Sequence, residues 1–135
     1  MILSTSNKKQ HVIHGIQIYL GSTIFCTLFS VIYEAFSHEV YSNFMIYLAL
    51  IPLIGGLLPF LLLRLTNLPY PARLSLNAYN SGIATLTVGC CLKGVFEIYG
   101  SSCPQITVYW ITGAALVFLG LLTYGITCAA SSRTS

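Results

Sequence analysis

Four apolar runs, each long enough to cross a bilayer, are joined by turns of only a few residues. They extend from about Val12 to Phe36, Ser42 to Leu63, Leu74 to Tyr99 and Gln105 to Cys128. A hydrocarbon core about 30 Å thick needs about 20 apolar residues in a helix. Turns this short make neighbouring helices antiparallel. The expected fold is therefore all-α, a polytopic membrane four-helix bundle forming a single transmembrane domain. Composition agrees, since only 7% of residues are charged where a soluble domain carries about 25%. So few charges cannot clothe a water-facing surface, and the first expected partner is the lipid bilayer. The net charge of +3 is dispersed. No Lys/Arg-rich stretch carries interleaved aromatics, so no nucleic-acid partner is expected.

The residues around the first run decide how it is read. Met1 to Gln10 is a polar tail ending in Lys8 and Lys9. A basic start before an apolar run resembles a signal peptide. This run, however, exceeds an h-region of about 7–15 residues, and no A-x-A-like cleavage site follows it. It reads as a retained first span. Lys8, Lys9, Arg64, Arg73 and Arg133 then fall on one side of a four-span arrangement, and Glu34, Glu39 and Glu97 on the other. A Lys/Arg excess marks the cytoplasmic side. Both termini and the loop TNLPYP are expected inside.

The second run carries IPLIGGLLP. Pro52 and Pro59 each remove a backbone donor, and Gly55 and Gly56 lie between them, so this span should bend, as a packed kink or as a hinge. In the fourth run Gly113 and Gly120 lie on one face and invite close approach of another helix. Ala129 to Ser135 is expected to fray. Of the five cysteines, Cys26, Cys90 and Cys91 fall within apolar runs as small hydrophobes. Cys103 sits in a water-exposed turn without an obvious partner.

Shifted by about 63 places, the chain matches itself. Glu34 falls on Glu97, Ser22 on Thr85, Tyr47 on Trp110, and His14 and Gln17 on Asn77 and Asn80. Each half runs in, out and back, which makes the bundle two parallel-repeat helical hairpins related by an axis along the membrane normal. The first and third helices carry nearly all the buried polar residues and are expected at the centre, while the second and fourth, more uniformly apolar, are expected to face lipid or a second protomer.

Two candidate polar sites follow. The outer one comprises Glu34, Lys93, Glu97 and His38. Lys93 and Glu97 are four apart and share a helix face, and the repeat would bring Glu34 towards them. Such a cluster would handle a cation or proton at an external mouth; otherwise the glutamates simply end their helices in water. The inner one comprises His14 and Gln17 on the first helix, and Asn77, Asn80 and Ser81 on the third. These side chains would either hydrogen-bond across the helix pair or line a vestibule. His11 and His14 are three apart, but no second histidine pair stands on another span, so neither metal nor haem is expected. There is no aspartate, nucleophile elbow, P-loop, H-E-x-x-H or dinucleotide glycine pattern. No enzymatic activity and no cofactor are expected.

The stretches YEAFSHEVYSNFMIYLALIPLIGGLLPFLL, from Tyr33 to Leu62, and SGIATLTVGCCLKGVFEIYG, from Ser81 to Gly100, resemble small four-span membrane proteins of Firmicutes-type bacteria. That resemblance implies an inner-membrane location and says nothing of activity. In size and span number the chain is also similar to small multidrug-resistance transporters. Those carry an essential glutamate deep in the first helix, whereas Glu34 is near its outer end, and their site is not carried over. Two functions remain open. One is an accessory subunit or assembly factor of a larger membrane complex. The other is a small transporter or channel for an ion or small solute, working as a homodimer, which requires Glu34, Glu97, Gln17 and Asn80 to converge on one cavity.

Overall fold

A computed structural model describes residues 2–66 and 68–134, with side chains from residue 7 onward. The helices are α1 (Ile2–Phe36), α2 (Asn43–Tyr47), α3 (Leu58–Leu65), α4 (Arg73–Tyr99) and α5 (Ile106–Thr134), with a π-helical segment (Ile51–Leu57) between α2 and α3. No strand occurs among the described residues. Four helical stretches are long and apolar enough to cross a membrane: Asn7–Phe36, Asn43–Leu65, Arg73–Tyr99 and Ile106–Thr134. The protein is an all-α, multi-pass four-helix bundle. Large apolar side chains such as Phe25, Phe36, Ile111 and Ile126 stand exposed on its outside, the exterior that a bilayer rather than water accepts.

Two ends depart from the sequence expectation. The polar tail before Val12 is already helical from Ile2. The helix also continues to Thr134 where fraying was expected. Ala129 and Ala130 are strong helix formers. The hydroxyls beyond them bond back along the helix, Ser132 to the Ala129 carbonyl at 3.0 Å and Thr134 to that of Ser131 at 3.0 Å.

The second span bends where its prolines and glycines lie. The bend is a π-helical stretch, with the Leu58 N–H reaching back five residues to the Leu53 carbonyl. Wider turns of this kind absorb local misfits in the α-helical hydrogen-bond ladder. Glycine at both central positions lets two neighbours close in. The Tyr19 ring of α1 occupies the space where a Gly56 β-carbon would stand, and Ile83 of α4 does the same at Gly55.

Span order is the main correction. α1 and α4 do not form a central pair. The second span lies between them, packing against α1 on one side and α4 on the other, while α5 packs chiefly on α4 and touches the second span where Trp110 meets the Phe44 ring, 6.1 Å between centres. Met45, Leu48 and Pro52, all on the second span, are among the most deeply buried residues. Uniform apolarity had suggested a lipid-facing helix. In a bilayer an apolar side chain suits lipid and protein equally, and the two glycines decided the matter.

The α4–α5 contact is a glycine zipper. Gly82 and Gly89 of α4 face Val117 and Tyr109, and Gly113 and Gly120 of α5 face Leu86 and Tyr79. Missing side chains allow van der Waals contact along the whole antiparallel pair. Ser75, buried in this contact, donates to the Gly120 carbonyl at 2.6 Å. On the opposite side, Ser30 of α1 donates to the Met45 carbonyl at 2.8 Å, and the Cys90 thiol of α4 donates to that of Phe44 at 3.0 Å.

The two turns at the acidic end are built differently. α4 stops at Gly100, whose φ of 78° is left-handed. The Gly100 and Ser101 N–H groups bond back to Glu97 and Phe96 at 3.1 and 2.9 Å, which satisfies carbonyls the helix end leaves free. After α1 the left-handed positions are His38 and Glu39, with φ of 52° and 71°. The Ser37 hydroxyl stands 2.7 Å from both the Glu34 and Val40 carbonyls and holds this tighter turn.

Candidate functional site

At the acidic end, one helical turn brings Lys93 and Glu97 together, with Nζ 3.8 Å from Oε1. The other carboxylate oxygen, Oε2, accepts the Ser42 hydroxyl at 2.6 Å. Ser42 is only 1% exposed and sits immediately before α2. This bond therefore fixes the start of the second span to the last turn of α4. The Lys93 ammonium also lies 5.7 Å from the centre of the Phe44 ring, within cation–π range.

Glu34 stands apart from this arrangement. Among the described residues it forms no ion pair, and its Oε1 is buried without a hydrogen-bond partner. His38 is exposed on the turn. Of the four outer candidates, the structure joins Lys93 to Glu97 and leaves Glu34 and His38 outside that pair. Ser42, which completes the pair's contacts, carried no sequence signal, because a serine at a span start is commonplace.

Around the middle of the spans, α1 and α4 stand on either side of the second span and leave a groove. It encloses about 710 Å³ and opens sideways. Pro52 and Phe60 form its floor, Gly21, Ser22 and Phe25 part of one wall, and Ala84 and Thr87 part of the other. One polar contact bridges it, from the Tyr19 hydroxyl to Asn80 Oδ1.

The expected pairing of polar stripes is thus only partly realised. Asn80 is engaged, but its partner is Tyr19 rather than Gln17 or His14. His14, Gln17, Asn77 and Ser81 are all exposed, and their side chains make no hydrogen bond among the described residues. Of Glu34, Glu97, Gln17 and Asn80, only Asn80 lines the groove. Tyr19 was passed over in the sequence because an aromatic in a span usually packs; its hydroxyl, two residues from Gln17, was the available clue.

Depth makes the exposed amides significant. Counting 1.5 Å per residue, Gln17 lies about 7 Å from the middle of Asn7–Phe36, and Ser81 about 7 Å from the middle of Arg73–Tyr99. Both fall within a hydrocarbon layer about 30 Å thick. An amide there without a partner costs several kcal/mol. Gly21, on the groove wall, has open space where a β-carbon would stand.

Among the described residues, no three histidine, cysteine or acidic side chains gather to hold a metal. Comparison with protein-family models, with curated proteins and with solved structures finds no match.

Proposed function

We propose that the chain is an accessory subunit or assembly factor of a larger complex in a bacterial cytoplasmic membrane, with both termini on the cytoplasmic side. Its α1–α4 groove receives a transmembrane helix of the partner. One observation carries this reading. Gln17 and Ser81 stand at the same depth on the two helices that flank the groove, exposed and without a hydrogen-bond partner among the described residues, Gln17 one turn before the uncovered Gly21 of the groove wall. A helix seated in the groove would meet a small residue at close range and find two hydrogen-bonding groups on the helices at its rim, the combination that joins helices in lipid. The tandem relation of the two hairpins belongs to the same reading, with the second span of the first hairpin bent by its π-helical segment and the second hairpin closed along its length by glycines.

The alternative, a small transporter or channel, requires Glu34, Glu97, Gln17 and Asn80 along one path, and only Asn80 lines the cavity. The experiment is site-specific photocrosslinking in native membranes from position 21, with position 125 on α5 as control. Gly125 is equally open but remote from the groove. A stoichiometric unrelated membrane protein crosslinked from position 21 alone, and released by Gln17→Leu, supports the proposal. Crosslinks to lipid only, together with ion flux in liposomes that Glu34→Gln or Glu97→Gln abolishes, would replace it with the transporter.

A further inference from the structure

A second cavity, of about 500 Å³, lies at the basic end between α1, the end of α3 and the loop that follows. Lys8 and Lys9 line it from α1, Arg64 from the last turn of α3, and Thr66 and Tyr70 from the loop. Val12 and Leu63 are among its apolar lining. Three cationic side chains therefore share one pocket with two hydroxyl-bearing residues.

No carboxylate side chain balances them. The chain has only three, Glu34, Glu39 and Glu97, and all stand at the opposite end. Lys8 and Glu34 lie on the same helix, about 39 Å apart at 1.5 Å per residue. That is several Debye lengths at physiological salt, about 8 Å each. Among the described residues the only ion pair is Lys93–Glu97. Among the described residues, Lys8, Lys9 and Arg64 have no counter-anion.

Position and lining then restrict the anion. Arg64 stands at the end of the second membrane-crossing stretch, the level at which lipid phosphates lie. The planar guanidinium suits a bidentate phosphate contact and the two ammonium groups add point charges. Apolar walls beside the cations match a phosphate carried on an acyl-chain-bearing molecule. Basic pockets between membrane helices bind anionic headgroups on this chemistry.

We propose that this pocket is a binding site for a phosphate group, presented by an anionic phospholipid headgroup or as free phosphate. Lys8, Lys9 and Arg64 are its charged ligands. The site is independent of the partner groove, because the two cavities share no lining residue.

The test uses the full chain, delipidated in mild detergent, and native mass spectrometry. The probes are phosphatidylglycerol, phosphatidylcholine and inorganic phosphate. Phosphatidylglycerol should be retained over phosphatidylcholine, and the triple variant Lys8→Gln/Lys9→Gln/Arg64→Gln should lose about tenfold or more of that retention. Lys8→Arg/Lys9→Arg/Arg64→Lys should keep it, which separates lost charge from lost fold. Arg73→Gln and Arg133→Gln remove charge at the same end outside the pocket and should leave binding unchanged. If inorganic phosphate displaces the lipid, the site takes free phosphate as well; if it does not, the headgroup is the source. Equal retention of both lipids, an unaffected triple variant, or an equal loss in Arg73→Gln and Arg133→Gln would overturn the proposal.

Discussion

The Tyr79 hydroxyl donates to the Gly55 carbonyl, whose donor in an α-helical register would be residue 59, a proline without an N–H. A side chain from α4 thus contributes to the hydrogen bonding of the bent second span. The bend and the α4 contact are one feature: without Tyr79, this half-buried acceptor would lose its partner.

This relationship predicts an interaction between two substitutions. Tyr79→Phe should destabilise the protein by about 0.6–1.7 kcal/mol, the span measured for hydrogen bonds between membrane helices. With Pro59→Ala already present, the stretch can return to the α-helical register, in which residue 59 supplies a backbone N–H to Gly55, and Tyr79→Phe should then cost close to nothing. Equilibrium unfolding in mixed micelles, arranged as a double-mutant cycle, measures the difference. Equal costs in both backgrounds would refute the shared role.

At the acidic end, the neutral partner of Glu97 should matter more than the charged one. Ser42 is buried and donates to the carboxylate at 2.6 Å, and a hydrogen bond to a charged group contributes about 1.5–3 kcal/mol. Lys93 and Glu97 are 35% and 38% exposed in their side chains and 3.8 Å apart. Solvent screening reduces an exposed pair of this kind to about 0.3–0.5 kcal/mol. Ser42→Ala should therefore lower stability clearly more than Lys93→Met. Thermal unfolding of the two variants in one detergent gives the order, and the reverse order would show the ion pair to be the stronger link.

Much of the architecture was legible in the residues, and what escaped has a common cause. The spans, the bend at Pro52 to Pro59, the Lys93–Glu97 pair and the close approach at Gly113 and Gly120 all follow from length, proline chemistry, helical spacing and side-chain size. The order of helices did not, because hydropathy cannot separate a lipid-facing leucine from a buried one when both surroundings are apolar. Small residues carry that information instead. Gly55 and Gly56 were read as slack in a bent helix, yet they hold α4 and α1 against the second span. Gly82 and Gly89 passed unremarked although they complete the zipper with α5. Whether each polar side chain of α1 and α4 faced protein or bilayer depended on those same glycines.

The glycines themselves provide the next prediction. At Gly56 an added β-carbon would collide with the ring of Tyr19, which is itself buried. Overpacking of this kind costs about 1–3 kcal/mol, and Gly56→Ala should also loosen the Tyr19–Asn80 bridge. At Gly21 the same methyl meets open space, and replacing an exposed helical glycine by alanine gains roughly 0.5–1 kcal/mol. Unfolding curves should place Gly56→Ala below the parent protein and Gly21→Ala at or above it. A neutral Gly56→Ala would mean that Tyr19 can leave its seat freely.

Orientation can be read from two cysteines at opposite ends. Cys103 lies in the turn before α5, half-buried, its thiol donating to Gln105 Oε1 at 3.0 Å. Cys128 is half-buried in α5 near the basic end. Cys26 and Cys90 are buried within the bundle, out of reach of an aqueous reagent. A membrane-impermeant maleimide applied to intact cells should therefore label Cys103 and spare Cys128, and lysed membranes should expose both. That pattern places Lys8, Lys9, Arg64 and Arg133 inside, as their charge requires. Labelling of Cys128 but not Cys103 in intact cells would invert the protein and put the three-cation pocket on the outer surface.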